Sequence, residues 1–68
     1  MSNFSSNSAP DLVLRNHEER AALAAWQRYV ASGVVVPHAD KTIARAFGVD
    51  IVRFWEIVDA WHEGAVVK

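Results

Sequence analysis

DKTIARAFGVDIVRFWEIVD, residues 40–59, carries the clearest pattern in the chain. It reads as two short helices joined by a tight turn. Asp40 is placed to cap the first helix, because its carboxylate accepts an otherwise orphan backbone N–H. Ile43, Ala44 and Phe47 then fall three to four residues apart, on one helical face. Gly48 follows where a chain leaving a helix turns through positive φ, a conformation a side chain disfavours. Val49 plugs the turn and Asp50 caps the second helix. Phe54, Ile57, Val58 and Trp61 give that helix an apolar stripe, which runs to about Glu63, with Gly64 as its stop.

These residues resemble the helix-turn-helix unit of small regulators. A small residue, Ala44, sits where the helices touch. The turn glycine, Gly48, comes four residues later, and Ile43, Phe47, Val49, Phe54 and Ile57 take the remaining core places. The plainer reading of the same residues is a helical hairpin with a glycine C-cap. The resemblance implies an all-α, three-helix domain whose last helix lies in the DNA major groove, with basic neighbours on phosphates. The side chains it would present are Asp50, Val52, Arg53, Trp55, Glu56 and Asp59.

Working toward the N-terminus, residues 34–39 are a connector. Val34, Val35 and Val36 before Pro37 favour extended backbone and are expected to pack over the helices. Pairing with residues 12–14 or with Val66 and Val67 is one arrangement open to them. Before the connector, Asn16-His17-Glu18-Glu19 has a capping-box layout, with Asn16 as cap and Glu19 reaching back to it. Leu23, Trp26 and Val30, flanked by Ala22, Ala25 and Tyr29, make an amphipathic helix to about Ser32, with Gly33 as its stop. Arg20 and Arg28 lie on the wet side.

The first nine residues, MSNFSSNSA, are rich in Ser and Asn and too poor in apolar surface to offset ordering entropy, so they read as a mobile arm. Pro10 ends it. Asp11-Leu12-Val13-Leu14-Arg15 is a short apolar run between charges, suited to extended chain. Two readings stand: it folds back over the core, or it is a recognition segment that orders on a partner. The chain thus divides into an arm (residues 1–15), a three-helix domain (16–64) and a short tail (65–68) expected to fray.

Composition narrows the function. The 68 residues carry 7 Lys and Arg against 8 Asp and Glu, a net charge of −1, where a dedicated nucleic-acid binder of this size is usually basic. There is no Cys, so neither a disulfide framework nor a thiolate metal site holds the fold, and a cytoplasmic setting is expected. No apolar run approaches a membrane span, and no secretory signal opens the chain. His17, His38 and His62 lie on different elements, without metal-ligand spacing. No nucleophile has an identifiable base beside it, and no glycine loop cradles phosphate. A non-enzyme without metal or cofactor is expected.

The last question is DNA or protein. The segment 50–63 sets Asp50, Glu56, Asp59 and Glu63 against Arg53 alone, a poor balance toward a polyanion. Val52 beside Trp55 and Arg53 is instead the make-up of a protein-binding hot spot, unless Trp55 turns inward onto Trp26 and Trp61. In size and layout the chain also resembles small phage-encoded inhibitors of host RNA polymerase. That likeness implies polymerase contact by the segment Pro10, Asp11, Leu12, Val13, Leu14 and Arg15, in the host cytoplasm, alongside the face of Val52 and Trp55. The alternative is a DNA-binding repressor or excisionase-like protein, with Lys41, Arg45 and Arg53 on DNA.

Overall fold

The structure, a computed structural model, describes residues 11–68. Residues 1–10 of the expected arm, Pro10 among them, lie outside the described residues, whereas its residues 11–15 are part of the fold. Three helices make the domain: α1 (His17–Ser32), α2 (Ala39–Ala46) and α3 (Ile51–His62). A pair of two-residue strands, β1 (Asp11–Leu12) and β2 (Val66–Val67), joins the two ends of the described chain in parallel, with Asp11 opposite Val66 and Leu12 opposite Val67. The fold is otherwise all-α.

The stretch 40–59 forms its turn by backbone hydrogen bonds typical of a glycine-terminated helix. Gly48 sits at φ 70°, its N–H donates to the Arg45 carbonyl, and the Val49 N–H reaches back to the Ala44 carbonyl at 2.9 Å. This paired pattern satisfies the last carbonyls of α2 and is closed by an apolar contact across the turn. Val49 and Ala44 are that contact, both buried in one cluster. Asp50 then caps α3, its carboxylate accepting from the Val52 and Arg53 N–H groups at 3.0 and 3.4 Å.

The start of α2 differs from expectation. The residue preceding the helix is His38, in the left-handed conformation at φ 58° and with no side-chain cap. Asp40 is one residue inside the helix, where its charge suits the positive end of the dipole. Its carboxylate is taken by the Trp55 indole, whose Nε1–H donates to Oδ2 at 3.0 Å.

The core has two lobes with α3 between them. On one side Ile57 meets Leu23, Leu12, Leu14 and Ala65, with Ala60 and Trp61 at the margin. On the other, Phe54 and Val58 meet Ala22, Ala44 and Val49, bordered by Trp26, Ile43, Phe47 and Ile51. Phe54, Ile57 and Val58 have no exposed surface. Each contributes roughly 1.5–3 kcal/mol by leaving water. Trp26 ties α1 to α3, with ring centroids 5.7 Å from Phe54 and 6.0 Å from Trp55, and its Nε1–H donates to His62 Nε2 at 3.1 Å.

The connector and the chain ends rearrange the expected picture. Val34, Val35 and Val36 do not cover the helices; Val35 is 87% exposed. Tyr29 and Ser32 hold that loop instead, the Tyr29 hydroxyl accepting from the Val36 N–H and Ser32 Oγ from the Val34 N–H. The last residues, expected to fray, pair with β1, and the Lys68 N–H donates to the Leu12 carbonyl at 2.9 Å. A second glycine turn directs them there. Gly64 (φ 88°) donates to Trp61, and the Ala65 N–H to the Ala60 carbonyl, which folds β2 back beside the core.

Candidate interaction surface

The surface is organised from beneath by one ion pair. Arg53 grips Glu19 with two prongs, Nε to Oε2 at 2.9 Å and Nη2 to Oε1 at 3.0 Å. The same Nη2 donates to the Val13 carbonyl at 2.9 Å, and Nη1 reaches Glu56 at 3.4 Å. Glu19 is buried on α1 and also accepts the Arg15 backbone N–H at 2.8 Å. The capping box is therefore shifted. Asn16 caps as expected, accepting from the Glu19 N–H at 2.9 Å, while the Glu19 carboxylate serves Arg15 and Arg53 rather than Asn16.

Electrostatics follow from the geometry. The hydrogen bonds from Arg53 hold the Glu19 carboxyl below the usual glutamate range. Burial pushes the other way, and the Arg15 N–H adds to the lowering. The same hydrogen bond with Glu19 raises the Arg53 guanidinium. Arg53 is thus committed to a planar bidentate pair and a carbonyl. In this fold its donors are taken up by Glu19, Glu56 and the Val13 carbonyl. One signal for this was in the sequence: Glu19, Ala22, Leu23 and Trp26 share the helical spacing of α1's inner face, and a carboxylate on such a face needs a partner. Nothing local says that the partner is Arg53.

With Arg53 drawn in, the outer side of α3 presents Val52, Trp55, Glu56 and Asp59, all exposed. Val52 is 65% exposed and Trp55 38%. Trp55 does not complete the core with Trp61. It lies at the domain edge, its ring against Trp26 and Phe54 and its N–H on Asp40. That bond and the ring contacts orient the indole with one edge exposed.

The segment before α1 is split by the fold. Leu12 and Leu14 are 5% and 7% exposed and belong to the core, so they are not available as partner contacts in this conformation. Asp11, Val13 and Arg15 face outward. The alternation follows from extended chain, which sends successive side chains to opposite sides. The exposed Asp11 carboxylate lies 3.8 Å from the Lys68 ammonium, a contact of small energetic weight.

On the other side of the turn, Lys41 and Arg45 are both exposed on α2. They border a groove of about 330 Å³ whose remaining lining is Ala44, Val49 and Ile51. Among the described residues neither cation has a salt-bridge partner. Among the described residues there is also no cluster of His, Asp and Glu able to hold a metal ion, and no helix long and apolar enough to cross a membrane. No protein-family model matches the chain, and neither the curated proteins nor the solved structures contain a match to it.

Proposed function

We propose that this protein is a small transcription regulator that acts by protein–protein contact with the transcription machinery, with RNA polymerase as the partner. The observation that carries the reading is the composition of the outer α3 face. Val52 and Trp55 stand there beside Glu56 and Asp59, and the nearest cation, Arg53, is turned into the domain. Carboxylates set against phosphates are repulsive, at roughly 1 kcal/mol per contact pair in water, whereas an aromatic ring with an aliphatic neighbour suits a protein hot spot. The exposed Val13, Asp11 and Arg15 extend the surface toward the N-terminal segment. The protein needs no catalytic group, metal or cofactor for this role.

The test is capture of purified bacterial RNA polymerase by the full chain, followed by transcription from a defined promoter. Val52→Asp should lower capture at least tenfold while leaving the helical signal unchanged, because Val52 is exposed. Polymerase that is neither captured nor affected in transcription refutes the reading. The alternative, a DNA-binding repressor or excisionase-like protein, is favoured by the exposed pair Lys41 and Arg45. It predicts steeply salt-dependent duplex binding, and no duplex retarded at low salt removes it. Arg53→Ala is a poor probe of DNA contact, since it breaks the pair with Glu19.

A further inference from the structure

We propose that the groove bordered by Lys41 and Arg45 is a docking site for an acidic segment of the partner protein that inserts an apolar side chain between α2 and the start of α3. The proposal rests on the protein-binding reading above and names the chemistry of what is bound.

Three observations meet at this place. The groove floor is apolar: Ala44 and Val49 are buried core residues and Ile51 is half-buried, and the three line a concavity of about 330 Å³. That space suits one or two aliphatic or aromatic side chains. Its rim is cationic on one side. Lys41 and Arg45 are four residues apart on α2, so they stand on one face about 6 Å apart along the axis. Carboxylates one turn apart on a helix, or two residues apart on an extended chain, match that spacing. Finally, the two cations are not paired with the acids nearest them in sequence. The Asp40 carboxylate accepts from Trp55, Asp50 accepts from the first turn of α3, and neither Lys41 nor Arg45 has a salt-bridge partner among the described residues.

A DNA backbone would use the two cations but leave the apolar floor unfilled. An acidic, apolar-anchored peptide uses both parts of the groove, with the Lys41 and Arg45 stems adding apolar wall. The charges then select and steer the ligand and the inserted side chain holds it.

The experiment titrates the full chain, labelled for amide NMR, with a synthetic peptide carrying Leu and Phe flanked by Asp and Glu. Parallel titrations use the same peptide with its acids replaced by amides, the peptide with Leu and Phe replaced by Ser, and a short DNA duplex. The acidic apolar peptide should shift the amides of Lys41, Ala44, Arg45, Val49 and Ile51. Either altered peptide should bind on the order of tenfold more weakly. The K41E/R45E variant, both of whose positions are exposed, should keep its helical spectrum and lose the response. Shifts confined to other residues, equal binding of the amide peptide, or tighter binding of the duplex at the same amides would each overturn the proposal. Polymerase capture separates the two readings. Capture undiminished in K41E/R45E refutes the groove as the docking site but leaves polymerase contact standing. Peptide binding at the groove with no polymerase captured supports the groove and refutes the polymerase.

Discussion

Arg53 and Glu19 determine how the surface of this protein is charged. A guanidinium that would otherwise face outward from α3 is pulled across to α1 by a carboxylate that is 5% exposed. Removing Arg53 leaves the buried Glu19 carboxylate with the Arg15 N–H but without its charged partner, which costs about 2–3 kcal/mol. Arg53→Ala should therefore lower unfolding stability by about that amount in urea, while Arg53→Met with Glu19→Leu, which removes both charges, should recover most of it. A loss under about 0.5 kcal/mol for Arg53→Ala would mean the pair is ornamental. The same pair sets a pH dependence. The folded-state pKa of Glu19 lies below its unfolded value, so the contribution is complete above the ordinary glutamate range. It is lost as pH falls from about 4.5 through the lowered folded value. Urea midpoints measured from pH 6 downward should fall less steeply in Glu19→Gln, which lacks this titration.

At the scale of elements, the α2–α3 turn is set by backbone conformation. Gly48 adopts φ 70°, and a Cβ built there meets nothing within 4 Å. Gly48→Ala therefore tests conformation without crowding. It should cost about 1 kcal/mol, the penalty of placing an L side chain in the left-handed region. Asp50→Ala removes the cap of α3 and should cost about 1 kcal/mol as well. Because one change acts on the turn and the other on the helix start, combining them tests whether the two coupled elements form as a unit: additive losses mean independent contributions. Thermal unfolding of the single and double variants supplies the comparison.

For the molecule as a whole, closure of the two ends decides stability. Domains of this size bury only about 60% of their unfolded surface, so each core side chain matters. Leu12 and Leu14 enter the core from the segment before α1, and β2 lies along Leu12, with Ala65 beside them in the cluster. Leu14→Ala should lower stability by about 2–4 kcal/mol, seen as loss of the cooperative thermal transition or a large drop in its midpoint. Deleting the last three residues should expose the same cluster and speed amide exchange throughout α1 and α3. A truncation through residue 15 would remove two core leucines, so loss of partner binding in it reports unfolding as much as contact. Substitutions at the exposed Val13 are the clean probe of that segment.

The local framework is legible in the residue pattern. The ends of α1 and α3, the Gly48 turn, the Asn16 and Asp50 caps and the inward set Ala44, Val49, Phe54, Ile57 and Val58 all depend on residues within about one or two turns of each other, where periodicity and capping act. Which surface faces outward is set by packing between distant segments. Glu19 meets Arg53 across 34 residues, Val13 meets Arg53 across 40, and Trp55 donates to Asp40 across 15. β1 finds β2 at the far end of the described chain, a pairing two short apolar runs do not announce. Such contacts depend on helices brought together by burial, which carries no direction along the sequence. The charge presented to a partner is therefore a property of the packed molecule.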